Sequence, residues 1–175
     1  AMVGRVHAAR ARGGPAVGSG RDVGVGRLGG GFNVDLSLYA PVAQALAWEV
    51  LTDFDHMSEF VPNLNSSKVS ERSENMLTVS QKGVARYGIF STNFESIQQT
   101  QLSPQHEIRA RGVGGNFLRM DSVMQLQAEG AGTRLTYHAD VLPDFWFPPF
   151  IGPTLVKHDI AEQFTGMLHE MNRRR

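Results

Sequence analysis

The 175-residue chain has no cysteine. Disulfides, thiolate metal sites and cysteine nucleophiles are therefore excluded, and the composition fits a reducing compartment, the cytoplasm. No uninterrupted apolar run approaches the ~18 residues that a membrane span needs. No G-x-S-x-G elbow, P-loop or H-E-x-x-H pair occurs, which removes the common nucleophile, phosphate and zinc-peptidase motifs. Net charge is missing too, since 17 Lys and Arg balance 17 Asp and Glu. That zero hides an asymmetry. Residues 1–31 carry five arginines against Asp22, and Arg173, Arg174 and Arg175 close the chain. The segment between holds nine basic and sixteen acidic side chains. An acidic body disfavours specific nucleic-acid binding by the fold itself.

Residues 1–31 also hold ten of the nineteen glycines and only scattered Val and Leu. They read as a flexible Gly/Arg-rich tail, with 32–175 as one folded domain. Gly24-Val-Gly-Arg-Leu-Gly29 matches G-x-G-x-x-G. A dinucleotide loop needs a strand before it and a helix after it, so that amides and helix dipole face the pyrophosphate. Here glycines precede and a strand follows, so the match reads as leader. A secretory signal is not expected, because the tail has no continuous apolar stretch.

What is present is a long amphipathic run near the end, Pro153–Asn172. Val156, Ile160, Phe164, Met167, Leu168 and Met171 recur at helical spacing, with Lys157, His158, Glu162 and Glu170 on the other face. Pro153 suits a first helical position. Burying each large apolar side chain is worth roughly 1.5–3 kcal/mol, so this stripe needs a broad apolar partner. The rest of the chain supplies strands. Phe32, Val34, Leu36 and Leu38 alternate with polar residues. Pro41 starts a helix through about Thr52, and Asp53 or Asp55 caps a second short helix over His56–Phe60. Strands follow over 65–71, 76–82, 89–97, 106–111, 117–128 and 133–142. Gly83 and Gly88 bracket a bend, 98–105 reads as a loop, and 112–115 as a turn. On 117–128, Leu118, Met120, Met124 and Leu126 share one face. Connections this short predict an antiparallel meander. Phe145-Trp-Phe-Pro-Pro-Phe150 leads into the helix as a hydrophobic plug, a lid or a homodimer contact.

This order of strand, two helices, strand run and long helix resembles the START-like superfamily of polyketide cyclase/dehydrase and coenzyme-Q-binding-like proteins (SRPBCC, bacterial members closest). The residues that carry the likeness are Ala40-Pro41 through Trp48 to Val61-Pro62, Gly115-Asn-Phe117 with Gly132-Thr-Arg-Leu-Thr-Tyr137, and the aromatic leader with its helix. The resemblance implies an α+β helix-grip fold, a curved antiparallel sheet of six to seven strands around a C-terminal helix. It also implies a cavity between the two that binds a lipid, isoprenoid quinone or polyketide.

The cavity wall is expected from Leu77, Val79, Gln81, Tyr87, Met120, Met124, Tyr137, Phe150, Val156, Ile160 and Phe164, with the methionines as adaptable surface. A binder or carrier of a hydrophobic small molecule is the first reading, with no cofactor and no metal. His158 and Glu162 read as a solvent pair, and His138 points outward. A cyclase or dehydrase would use polar groups among Gln81, Arg86, Tyr87, Ser91, Arg119 and Tyr137, with Arg119 facing solvent. A ribosome-directed interaction protein is a third reading, through likeness to coenzyme-Q-binding-like relatives.

Overall fold

A computed structural model describes residues 22–147 and 150–175. In chain order the elements are β1 (Asp22–Leu28), β2 (Gly31–Ala40), α1 (Gln44–Leu51), a 3-10 helix (Phe54–Glu59), β3 (Leu64–Ser73), β4 (Met76–Tyr87), β5 (Phe90–Ser103), β6 (Glu107–Gly115), β7 (Phe117–Glu129), β8 (Gly132–Pro143) and α2 (Gly152–Arg174). The strands form one antiparallel sheet in the order β1-β2-β8-β7-β6-β5-β4-β3. The sheet wraps α2, and β3 is an edge strand, as its polar sequence predicts.

The sheet has one strand more than the sequence reading gives. Asp22–Leu28, assigned there to the flexible tail, pairs with β2 from Asp22↔Ser37 to Leu28↔Gly31. Val23 and Val25 do alternate with Gly24 and Gly26, but the glycine-rich composition hides that period. Val23 packs against the main core. The G-x-G-x-x-G match is thus a strand entering a hairpin turn at Gly29-Gly30, with no helix after it. The remainder of the expected tail, 1–21, lies outside the described residues.

Other boundaries shift for identifiable reasons. β4 runs through Gly83, which pairs with Phe94; a side chain there would strike the Asn63 carbonyl. The turn falls at Gly88, whose φ of +60° favours glycine. The stretch 98–105 is not a loop, because β5 continues to Ser103 with Gln98 and Thr100 paired on both sides. Residues 112–115 are not a turn either: Gly112 pairs with Gln98 and Gly114 with Ile97. Leu118 leaves the apolar face. The β7–β8 register steps from Phe117↔Pro143 to Arg119↔Leu142, so Leu118 is an unmatched bulge residue, 66% exposed. Asp53 does not cap the 3-10 helix through its side chain. Its carboxylate instead meets His56 and Arg174, each at 2.7 Å.

Two apolar clusters fill the interior. The larger joins Leu36, Leu38, Val50, Leu126 and Leu135 to Phe164, Leu168 and Met171 of α2. The smaller sits under the 3-10 helix, around Phe54, Met57, Leu64, Leu77 and Val79. Leu155 of α2 is also buried, although the helical stripe does not include it. Glu170, assigned to the solvent face, is buried as well. Arg173 and Arg174 both bond its carboxylate, and this satisfies a charge that burial alone would expel.

Candidate ligand-binding site

A line of small side chains crosses the concave face of the sheet. Register places Thr100 opposite Ala110, Ala110 opposite Ser122, Ser122 opposite Ala139, and Ala139 opposite Val34. Five adjacent strands therefore present short side chains along one rung. α2 lies over them, with Val156, Ile160, Gln163 and Phe164 lining the space that stays open between helix and sheet. This is the physical origin of the cavity.

The space has two lobes. The outer lobe, about 120 Å³, is walled by Phe32, Val34, Phe117, Val141, Phe145 and Phe147 with Val156 and Ile160 of α2. The inner lobe, about 150 Å³, adds Val79, Gln81, Met124, Ile108, Phe164 and Met167. Phe94, Met120, Tyr137 and Gln163 belong to both lobes and form the neck between them.

The outer lobe is hydrocarbon and aromatic except for Thr92, Asp159 and the neck residues Tyr137 and Gln163. The inner lobe has a polar floor. Ser67 pairs with Gln81, and Gln81 pairs with Ser96, along a second rung. Gln81 Nε2 donates to Ser67 Oγ at 3.1 Å, and Gln98 Nε2 donates to Ser96 Oγ at 3.1 Å. Ser67, Ser96 and Thr100 are buried. The hydroxyls of Ser96 and Thr100, which line the lobe, are the groups that could meet ligand oxygens.

At the neck, Tyr137 packs its ring 5.4 Å from that of Phe164 and hydrogen-bonds to Ser122. Burial pushes its phenol up to about 12, opposed by the Ser122 bond and assisted by the charge of Asp159. Tyr137 therefore stays protonated and can donate. Asp159 lines the outer lobe and accepts a 2.8 Å bond from Gln163 Nε2, one helical turn on. Burial raises its carboxyl to about 6, against the pull of the Gln163 bond. A carboxyl of this kind changes charge near neutrality and can hold or release a proton inside an apolar chamber.

Of the expected wall, Val79, Gln81, Met120, Met124, Tyr137, Val156, Ile160 and Phe164 come together around the two lobes. Leu77 is buried in the cluster under the 3-10 helix and lines neither lobe. Tyr87 is 40% exposed, its ring 5.8 Å from His158, and Phe150 is 85% exposed. Both stand outside the cavity wall. The leader is split: Phe145 and Phe147 turn inward, while Trp146 and Phe150 turn outward. Pro148 and Pro149 lie outside the described residues. Arg86 and Ser91 are exposed, and Arg119 pairs with Asp121 and Asp140 at the surface.

Asp159 and Gln163 are absent from the sequence-based set. They fall three and seven residues after Val156, on the flank of the apolar stripe, a position that spacing gives but that their polar side chains disguise as solvent-facing.

His158 Nε2 meets Glu162 Oε1 at 3.1 Å, both partly exposed. His138 bridges Asp35 and Asp140 on the outer face. Among the described residues no cluster of three or more His, Asp or Glu is arranged to hold a metal ion. Among them, too, no helix is long and apolar enough to cross a membrane.

Residues 40–160 match the family described as polyketide cyclase / dehydrase and lipid transport. No curated protein matches the chain. Solved structures do. A STAR-related lipid transfer protein from Xanthomonas axonopodis superposes with a TM-score of 0.71 at 13% identity, covering 88% of this chain and 94% of that one. The Zhui aromatase/cyclase from Streptomyces sp. R1128 gives 0.69 at 16%, covering 81% and 94%. A START superfamily protein from Mycobacterium smegmatis gives 0.67 at 12%, covering 82% and 99%. At these identities the likeness establishes the helix-grip fold.

Proposed function

The chain belongs to the polyketide cyclase/dehydrase and lipid-transport family, and from that premise we propose that it binds and carries a hydrophobic small molecule between sheet and α2. The observation that carries this reading is the rung of small residues from Thr100 to Val34, which leaves a chamber with apolar walls under the long helix. A cavity of about 150 Å³ lined by apolar side chains takes a benzene-sized molecule. Each lobe matches one ring or a short branched segment. A ligand spanning both passes Tyr137 at the neck and Asp159 in the outer lobe, and these two meet its polar group.

The test fills the rung. Ala139→Leu places a larger side chain at the wall of the outer lobe. Native mass spectrometry after detergent-free purification, with organic extraction, reads any co-purified ligand. Titration with a fluorescent apolar probe reads the empty protein. The expected result is probe binding by the wild type and at least a tenfold loss in the variant, about 1.4 kcal/mol. Equal binding by both would sink the reading.

A second reading, a cyclase or dehydrase acting on a polyketide-like substrate, has its own support. Tyr137 and Asp159 put a protonated phenol and a near-neutral carboxyl in one apolar chamber. In such a step the Asp159 carboxylate takes a proton from the carbon between two carbonyls. The Tyr137 hydroxyl stabilises the resulting enolate oxygen by hydrogen bonding. This reading predicts that Tyr137→Phe loses turnover of a poly-β-ketone while keeping probe affinity. Loss of both together points to packing instead.

A further inference from the structure

The rim of the outer lobe differs from the rest of the surface. Ile89, at the tip of the β4–β5 hairpin, is fully exposed, and Trp146 and Phe150 are 75% and 85% exposed. Contacts put all three at one end of the molecule. Ala85 and Thr92, on either side of the hairpin tip, line the outer lobe together with Phe145 and Phe147, which flank Trp146. Tyr87 meets His158 of α2, and Phe150 stands just before the start of that helix.

The leader is anchored. Phe145 packs on Phe117 with ring centres 5.7 Å apart, and Phe147 packs on Phe32 at 5.3 Å. Trp146 is thereby held outward between two inward rings. Arg86 and Lys157 are exposed at the same end, with no ion-pair partner among the described residues. The acidic groups nearby are Asp144, Asp159, which lines the outer lobe and accepts a bond from Gln163, and Glu162, which is engaged by His158.

We propose that this end docks on an anionic lipid bilayer, with Ile89, Trp146 and Phe150 entering the headgroup–acyl boundary and Arg86 and Lys157 facing lipid phosphates. Trp and Phe favour that depth, and basic residues beside an apolar wedge are drawn to anionic lipid. The arrangement suits a bilayer better than a rigid protein. The three side chains stand on two separate segments, the β4–β5 hairpin tip and the leader before α2, and a fluid surface accepts separate wedges. The docking does not depend on the cavity reading, because probe binding in lipid-free buffer tests that separately.

The experiment is flotation of the full chain with phosphatidylcholine vesicles, with and without about 30 mol% phosphatidylserine. Trp146 quenching by brominated lipid gives depth, and a Trp146→Phe control, which retains only Trp48, isolates the Trp146 signal. The expected result is partition onto the phosphatidylserine vesicles, with quenching that Trp146→Phe abolishes. An Ile89→Asp/Phe150→Asp variant should bind about tenfold more weakly. An Arg86→Glu/Lys157→Glu variant should lose only the preference for anionic lipid. Both pairs are exposed, and unchanged melting temperatures confirm folding. Absence of partition overturns the proposal. So does undiminished binding by the Ile89→Asp/Phe150→Asp variant, in which case deleting 2–21 tests the arginine-rich segment. A concentration-dependent dimer that this variant abolishes, without vesicle binding, overturns it and assigns the rim to a second copy of the chain.

Discussion

Arg174 donates a 2.7 Å hydrogen bond to the carboxylate of Asp53, 121 residues earlier, and so ties the last turn of α2 to the corner after α1. The same guanidinium reaches Glu170 at 2.9 Å and lies over the Phe60 ring at 5.6 Å. Arg173 adds a second clamp on Glu170. The C-terminal arginines are therefore structural.

This clamp makes Glu170 an acid-labile element. Its hydrogen bond from Arg173, with that from Arg174, holds the carboxyl down at about 2 despite burial. A folded value below the ordinary 4.5 means stability that is present above about pH 4.5 and lost as pH falls toward 2. Glu170→Gln should therefore destabilise the protein by about 1–3 kcal/mol near pH 7. The difference should shrink to nothing near pH 2. Urea unfolding of both proteins across that range checks it, and a gap independent of pH would refute the clamp.

Gly166 sets how closely α2 approaches the exit of the 3-10 helix. A Cβ there would meet the Phe60 carbonyl and lie 2.6 Å from Pro62 Cδ. Two effects compete in Gly166→Ala. Helix propensity favours alanine by about 1 kcal/mol. Overpacking against backbone costs about 1–3 kcal/mol, because the backbone yields less than a side chain tip would. Clash wins, and thermal denaturation should show a lower melting temperature; a higher one would mean that the helix shifts freely.

The extra strand gives a truncation experiment with two arms. Removing residues 2–21 takes away none of the described pairing. Removing 2–30 also strips β1 from β2 and uncovers the core face that Val23 covers. The second deletion should lower the melting temperature by several degrees more than the first. Equal effects would mean that β1 adds nothing to stability.

These positions also show what the sequence could reveal. The helix stripe from Val156 to Met171 and the β8 alternation of Leu135, Tyr137, Ala139 and Val141 are legible, because their inward side chains are apolar and the period stands out. β1 is not, since glycine replaces one side of the alternation. The end of β5 fails for a reason tied to function. Gln98 and Thr100 face a cavity with a polar floor, and inward polar residues imitate the composition of a loop. The rung from Thr100 to Val34 becomes visible only when register sets five separate small residues side by side. Asp159 is hidden for a similar reason, as a carboxylate on a helix is ordinarily a solvent group.

Asp159 yields the sharpest pH test of the cavity. Burial raises its carboxyl to about 6, above the ordinary 3.8. The folded state thus holds the proton more tightly than the unfolded one. Below about pH 4 the carboxyl is protonated in both states and carries no penalty. As pH climbs from about 4 to 6 the unfolded chain ionises first, so stability falls, and it levels off above about 6. A two-unit shift corresponds to about 3 kcal/mol, and cavity solvent around a half-buried group reduces this to about 1–3. Asp159→Asn keeps a partner for Gln163 and removes the titration. The variant should match the wild type near pH 4 and exceed it in melting temperature near pH 8. A ligand that donates a hydrogen bond to the carboxylate should reverse the ranking: it binds the wild type more tightly as pH rises through about 6, while the variant shows no such dependence. Parallel melting curves across the whole range would mean that Asp159 is solvated like any surface carboxylate and that the outer lobe is wet beside it.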